Sequence, residues 1–337
     1  MDTALLLEWI IKSIILLLAM TGGFTYLTLF ERRVLARLQV RIGPNRAGPF
    51  GILQPIADGI KLIFKEELIP ANAHKLIFIL APVITVFPAL VITAVIPWGG
   101  TLELFGRAIP LHVADVSVGA LYITALASIA VYGITLAGWS SNNKYAMLGG
   151  LRATAQMISY ELALGLAFAT PIMLAGSMRI LDIIAAQKEF GWFFWLLFQP
   201  LGPIIFLISS IAEVNRAPFD MPEAEQELTA GYHTEYSGMK FALFFMAEYI
   251  KMIAVSMIAA TLFFGGYLGP FVDQFPFLGP VYLFGKVILL LFGMVWLRAT
   301  TPRIRYDRLM TFGWKILLPV ALLNVLITAV IIVMRGG

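Results

Sequence analysis

The sequence of 337 residues contains no cysteine, and only 13% of its residues are charged. Without cysteine the chain can form no disulfide, no thiolate nucleophile, no zinc finger and no cysteine-ligated iron–sulfur cluster. It also has no G-x-G-x-x-G fingerprint, and the segment most like a P-loop, residues 279–286, is one residue too long and is followed by Val287 instead of Ser or Thr. These absences predict a chain that binds neither a dinucleotide nor ATP by itself.

Metal and haem sites are equally poorly supported. The three histidines, His74, His112 and His233, fall in loops or at the edge of an apolar segment, which argues against a haem held by two histidines inside a membrane. We therefore expect no flavin, haem, iron–sulfur cluster or metal in this chain, and no nucleic-acid partner. Any redox role would need cofactors carried by partner subunits.

Hydrophobic residues make up 60% of the sequence, and they are grouped into long runs. A helix needs about 20 apolar residues to cross the hydrocarbon core of a bilayer. Eight segments meet this requirement: residues 10–30, 76–97, 113–137, 156–175, 192–212, 240–264, 281–300 and 315–334. The sequence thus predicts a single all-α polytopic membrane domain covering residues 1–337.

The basic residues predict how this domain is oriented. Of the 24 Lys and Arg residues, 17 fall after the first, third, fifth and seventh spans, and five fall on the other side. By the positive-inside rule, loops 31–75, 138–155, 213–239 and 298–314 face the cytoplasm, and both termini face the periplasm. Within the first loop, isoleucines at helical spacing predict an amphipathic helix near 51–67 that lies at the membrane interface.

Acidic residues are concentrated in one of these loops. The stretch AEVNRAPFDMPEAEQELTAGYHTEY, residues 212–236, holds six carboxylates and one arginine, Arg216. A solvated loop is one interpretation, but two prolines and the apolar Phe219 and Met221 favour a structured one. Glu161 and Glu248 lie inside predicted spans, where charges are costly and usually face a polar interior. Glu248 could simply form an ion pair with Lys251 on the same helix face, or these acids could form a polar path into the membrane.

Four segments carry a family resemblance: FERRVLARLQVRIGPNRAGPFGILQPIADGIKLIFKE, LRATAQMISYE, AEVNRAPFDMPEAEQELTAGYHTEYSGMKFALFFMAEY and RATTPRIRYDRLM. They resemble the signature segments of the H subunit of bacterial NADH:quinone oxidoreductase, the counterpart of subunit 1 of mitochondrial complex I. The resemblance extends from about residue 25 to 320. It implies location in a bacterial inner membrane rather than a mitochondrial one.

The resemblance implies a membrane subunit at the junction with the peripheral arm, where it forms much of the chamber that quinone enters as a substrate. Its partners would be the peripheral iron–sulfur and quinone-site subunits, the small membrane subunits that lead to antiporter-like subunits, and lipid. No catalytic residue is expected, because electron transfer would occur on partner subunits. The chamber residues implied are Glu31, Arg32, Arg41, Asp58, Lys61, Arg216, Phe219, Asp220 and Arg298. The residues implied for proton translocation are Glu161, Glu213, Glu223, Glu225, Glu227, Glu235 and Glu248.

Other functions remain open at this point. A homologous membrane component of a hydrogenase-linked or ferredoxin-linked ion pump would share the fold and many of these acids. A stand-alone ion transporter would also have buried charges, although no inverted repeat is seen. A scaffold without transport activity is disfavoured by the cost of burying so many charges.

Overall fold

The protein is almost entirely helical in a computed structural model, which describes residues 3–104, 107–191, 195–196, 199–221 and 230–334. Its helices in chain order are α1 (Thr3–Leu38), α2 (Gln54–Ile63), α3 (Lys75–Ile92), α4 (Gly119–Ser140), α5 (Lys144–Ala175), α6 (Ile180–Phe190), α7 (Leu201–Glu213), α8 (Gly238–Phe263), α9 (Leu278–Thr300), α10 (Tyr306–Phe312) and α11 (Leu318–Met334). Short antiparallel strands β1 (Thr101–Leu104) and β2 (Arg107–Pro110) form a hairpin between α3 and α4, which was not predicted.

In the described part of the chain, seven helices are long and apolar enough to cross a membrane. They are α1, α3, α4, α5, α8, α9 and the continuous run Tyr306–Met334, in which the π-turn Gly313–Leu317 joins α10 to α11. The predicted span 192–212 corresponds to α7, a shorter apolar helix of 13 residues, and to residues 192–200, five of which lie outside the described part of the chain. The all-α membrane fold is thus confirmed, with one span shorter than the other seven.

Helices α1 and α5 extend far beyond the predicted spans. Helix α1 continues to Leu38, and α5 begins at Lys144, so α5 covers twelve residues of the predicted loop 138–155. The first turn of α5 is stabilised by Asn143, whose side-chain oxygen accepts a hydrogen bond of 2.9 Å from the Tyr145 amide. Such an N-cap satisfies an amide that has no partner within the helix. Hydropathy predicts only the part of a helix that lies in lipid, and α5 begins twelve residues before the predicted span 156–175.

The predicted amphipathic helix is observed as α2, preceded by the 3-10 turn Pro49–Gly51. Its isoleucines Ile56, Ile60 and Ile63 are exposed, while Pro55 is buried against the chain. An apolar face that the chain itself does not cover is typical of a helix that lies in the membrane interface.

Helix α8 lies at the centre of the bundle. It packs on α1, α3 and α9, and every residue from Tyr249 to Phe263 is buried. The layer continues through α3, α4, α5 and α7, each in contact with the next. A helix that is apolar on all sides needs such surroundings, and charged residues on α8 are therefore held inside protein.

Candidate functional site

Four charged side chains that are distant in sequence meet where α1, α8 and α9 approach the segment after α7. Arg216 Nη1 donates to Glu31 Oε1 at 2.9 Å, and its Nε contacts Glu248 Oε1. Arg298 donates to the same Glu31 oxygen. Glu31 and Arg216 are only 3% and 8% exposed. Two carboxylates and two guanidinium groups balance in charge, and we call these four residues the polar cluster.

The polar cluster changes one expectation about Glu248. Of the two interpretations left open for Glu248, the ion pair with Lys251 is not observed among the described residues, and the carboxylate of Glu248 contacts Arg216 instead. Arg216 also lies over the ring of Tyr249, with 4.4 Å from its central carbon to the ring centroid. The cluster therefore links residues predicted for the quinone chamber with one predicted for proton translocation.

The segment that carries Arg216 is anchored by a glutamine that sequence analysis did not single out. Gln156 is fully buried on α5, and its Nε2 donates to the carbonyls of Ala212 at 2.8 Å and Phe219 at 2.7 Å. Phe219 packs beside Tyr160 with ring centroids 5.6 Å apart. A glutamine within an apolar helix is a signal that could have identified this anchor, because burial of an amide requires partners.

A large groove with a volume of about 400 Å³ lies between α1, α2 and α8. Most of its walls are apolar, formed by side chains that include Phe24, Leu62, Phe241, Phe245 and Met246. The predicted chamber residues Arg32, Asp58 and Lys61 also line it. Arg32 Nη1 donates to Asp58 Oδ2 at 2.7 Å, and Lys61 Nζ lies 3.7 Å from Asp58 Oδ1. This chamber groove can hold a largely apolar molecule and offers charged groups to a polar part of it.

A second groove, of about 710 Å³, lies between α1, α8 and α9. Its lining includes Met20, Phe30, Ile253 and Phe284, and none of the described residues that line it is charged. This groove resembles a lipid-facing surface more than a site for a molecule with a polar head group.

The remaining predicted chamber residues lie in different places. Arg298 belongs to the polar cluster, and Asp220 accepts a hydrogen bond of 3.1 Å from Arg303. Arg41 is exposed, and its Nε donates to the side chain of Gln39 at 2.8 Å. The structure thus brings Arg32, Asp58 and Lys61 together in the groove and leaves Arg41 on the surface.

The acids predicted for proton translocation differ in burial, since Glu213 is buried while Glu161 and Glu235 are half-buried. Glu213, at the end of α7, lines a small cavity together with Glu248, Asn215 and Lys251. Glu161 of α5 accepts a hydrogen bond from Ser128 of α4. Glu235 accepts one of 2.6 Å from Asn143. Glu223, Glu225 and Glu227 lie outside the described residues.

His233 and Tyr236, near the end of the acidic stretch 212–236, are held in their neutral forms by burial. Burial lowers the pKa of His233 to about 3 and raises the pKa of Tyr236 to about 12. Tyr236 stacks on Phe78 with ring centroids 4.0 Å apart, and its hydroxyl donates to the Phe78 carbonyl at 3.2 Å. These residues attach the segment to α3 and α8, and their protonation does not change near neutral pH.

Comparison with known proteins agrees with this architecture. A family model described as NADH dehydrogenase matches residues 11–329. The H subunit of NADH-quinone oxidoreductase from Thermomicrobium roseum is 52% identical over 98% of both chains. Its namesake in Protochlamydia amoebophila is 54% identical over 90% of this chain and 91% of its own. The H subunit numbered 1 in Geobacter metallireducens is 54% identical over 92% of each chain.

Proposed function

The chain belongs to the H-subunit family of NADH-quinone oxidoreductase, and from this premise we propose that it forms much of the chamber through which quinone enters the complex. We further propose that it couples quinone reduction to proton translocation through its buried carboxylates. Electron transfer itself takes place on partner subunits. The chain acts within the bacterial inner membrane, with loops 31–75, 138–155, 213–239 and 298–314 facing the cytoplasm and the peripheral arm.

The chamber groove is the observation that carries this proposal. A quinone has a long apolar tail and a polar head, so its path needs apolar walls and a polar region. The chamber groove provides both, because aromatic and aliphatic residues of α1 and α8 line it together with the Arg32–Asp58 pair. The interfacial helix α2 forms one wall, which allows a molecule to enter from the lipid.

The polar cluster supports the coupling part of the proposal. Reduction of a quinone places negative charge nearby until protons arrive, and buried carboxylates respond to such a charge because little water screens them. Glu31 and Glu248 share Arg216, so a change at one carboxylate alters the balance at the other. A charge change that moves a small side-chain arrangement is a common way to switch a protein.

Filling the chamber groove tests its role. A Cβ atom at Gly59 on α2 would have no neighbouring atom within 4 Å, so Gly59→Phe adds a ring to the groove without a backbone clash. In membranes that contain the assembled complex, we expect NADH:quinone reductase activity to fall roughly tenfold, or about 1.4 kcal/mol in the activation barrier. Oxidation of NADH by ferricyanide, which bypasses the quinone, should not change.

Gly285→Phe is the matched control. Gly285 on α9 is exposed and has equally open space around a Cβ atom, and it is not among the lining residues of the chamber groove. If both variants retain the parent rate with quinone at matched assembly, quinone does not pass between α1, α2 and α8.

The coupling role is tested at the acids. Glu213→Gln and Glu225→Gln remove one negative charge each and retain nearly the same side-chain shape. We expect both to impair quinone-linked turnover while electron entry from NADH continues. Equal quinone reductase rates in variant and parent, at matched assembly, would argue against coupling through these residues. A loop that only attaches the peripheral arm would instead lose assembled complex.

A further inference from the structure

Lys251 is a buried cation that the proposed function does not yet use. It lies on α8, three residues after Glu248, and is 7% exposed. Its ammonium has no hydrogen-bond partner among the described residues. An ammonium buried in this way is costly, because it gives up water without a direct partner in return. Its retention inside the bundle calls for a compensating interaction.

The side chain of Lys251 lies where two cavities meet. The first, of about 20 Å³, is lined by polar residues that include Thr85, Asn215 and Glu248. The second, of about 30 Å³, is more apolar and reaches Thr124 on α4. Glu213 and Lys251 line both. Lys251 therefore lies between the cavity that borders Glu248 of the polar cluster and the cavity that borders α4 and α5.

The charged groups around Lys251 come from three helices. Glu248 lies on its own helix, Glu213 on α7 and Glu161 on α5; Glu248 and Glu213 line the first cavity together with Lys251, and Glu213 also lines the second. Helix α4 contributes Ser128, which donates to Glu161, and α3 contributes the hydroxyl of Thr85 to the first cavity. Among the described residues, neither Glu213 nor Glu161 has a Lys, Arg or His nitrogen within 4.0 Å, whereas Glu248 has Arg216.

We propose that Lys251 is a positioning residue for proton translocation, whose ammonium faces Glu213 across the cavities that both residues line and favours the ionised form of that carboxylate, which can then accept a proton. A nearby cation favours the charged form of a carboxylate, and this effect persists over several ångströms inside a protein because water does not screen it. The inference rests on the proposed coupling function and assigns this lysine a part in it.

The test compares two substitutions in the intact complex. Lys251→Met removes the charge and keeps an unbranched side chain, whereas Lys251→Arg keeps the charge. Quinone-linked turnover is measured from about pH 5.5 to about pH 9 and divided by the ferricyanide rate, which corrects for assembly. Without the lysine Glu213 holds a proton more tightly, so the acidic limb of the profile should move to higher pH by about one unit, a tenfold change in proton binding. Lys251→Arg should keep the parent profile.

Lys12→Met is the control for loss of a buried lysine. Lys12 is also 7% exposed, but it is paired with Glu8 and does not line either cavity. Its profile should match that of the parent. If Lys251→Met does not assemble, Lys251→Gln replaces it, because its amide can form hydrogen bonds within the cavity.

A profile of the neutral variant that superimposes on the parent profile would overturn the inference and leave Lys251 with a packing role. Glu213→Gln, measured alongside, separates this failure from a broader one. If Glu213→Gln lowers turnover and the neutral lysine variant does not shift the profile, only the lysine inference fails. If neither variant differs from the parent, the proposed coupling fails as well.

Discussion

Replacing Arg216 with methionine should destabilise the protein strongly. The substitution keeps a long side chain in place but removes the cation that contacts both Glu31 and Glu248. Both carboxylates then remain in a buried site. It also removes the contact between the guanidinium and the ring of Tyr249.

The size of the expected stability loss depends on which cations remain near each carboxylate after the substitution. Breaking a buried ion pair by removing one partner costs about 3–5 kcal/mol, because a buried charge loses its compensation. Glu31 keeps Arg298 as a second partner, so it should contribute less to this cost. Glu248 has no other Lys or Arg nitrogen within 4.0 Å among the described residues, so most of the cost should arise there. The loss of the cation–π contact adds up to about 2 kcal/mol.

A rescue series measures this difference. Thermal unfolding of the purified complex is followed for Arg216→Met alone and in combination with Glu248→Gln or Glu31→Gln. The single variant should have the lowest unfolding temperature. Adding Glu248→Gln should recover most of the loss, because the neutral amide no longer needs a cation, and adding Glu31→Gln should recover little and leave Arg298 without its partner.

The opposite order of rescue would refute this reasoning. If Glu31→Gln restores stability better than Glu248→Gln, then Arg298 does not compensate Glu31 and the assignment of partners is wrong. A single variant that unfolds at the parent temperature would show that Arg216 contributes no net stability.

Three further predictions concern the ends of helices and the loops. Lys286→Met should lower the unfolding temperature of the complex by an amount corresponding to about 2 kcal/mol or more, because the ammonium donates to three backbone carbonyls, of Phe264, Gly266 and Leu268, at 2.7–2.8 Å. Arg179 donates hydrogen bonds to Asp115 and thereby lowers the pKa of that carboxyl, so the pair stabilises the fold above about pH 4 and loses this effect as pH falls. In unfolding at graded pH, Arg179→Gln should therefore differ from the parent at about pH 7 and converge with it on acidification. His233 stays neutral when folded down to about pH 3 but takes a proton when unfolded below about 6.5, so stability should fall with pH in that window, and His233→Leu should make the fall shallower.

Much of the fold could be predicted from the sequence because membrane helices are recognisable by length and hydropathy. Seven spans and the interfacial helix α2 are observed where the apolar runs predicted them. The ends of α1 and α5 could not be predicted in this way. Arg33, Arg37 and Arg152 are good helix formers, but their charge excludes them from a segment identified by hydropathy. Helix α1 therefore continues past the end of its apolar run, and α5 begins before the start of its own.

The candidate site was only partly predictable. Glu31, Arg216, Glu248 and Arg298 were recognised individually, but their contacts join positions up to 267 residues apart. Only the folded chain shows that Arg216 lies beside α8, where its guanidinium contacts the carboxylate of Glu248. Pairing depends on how the segment after α7 folds, and that segment is held by Gln156; its place in an apolar helix indicates that its amide needs partners, but not that these are the carbonyls of Ala212 and Phe219.

The lengths of α1 and α5 bear on how the proposed quinone substrate would meet charged residues. With 36 and 32 residues, these helices are about 54 Å and 48 Å long, while a hydrocarbon core is about 30 Å thick. Either steep tilt or protrusion must absorb the excess, and Glu31 and Arg32 lie within the last eight residues of α1. If this end of α1 lies outside the hydrocarbon core, its charged side chains are not transferred into lipid, and the free-energy cost of that transfer does not arise. An apolar molecule would then move out of the hydrocarbon core along α1 to reach these charged residues. The thickness of the surrounding bilayer would determine the distance that it travels.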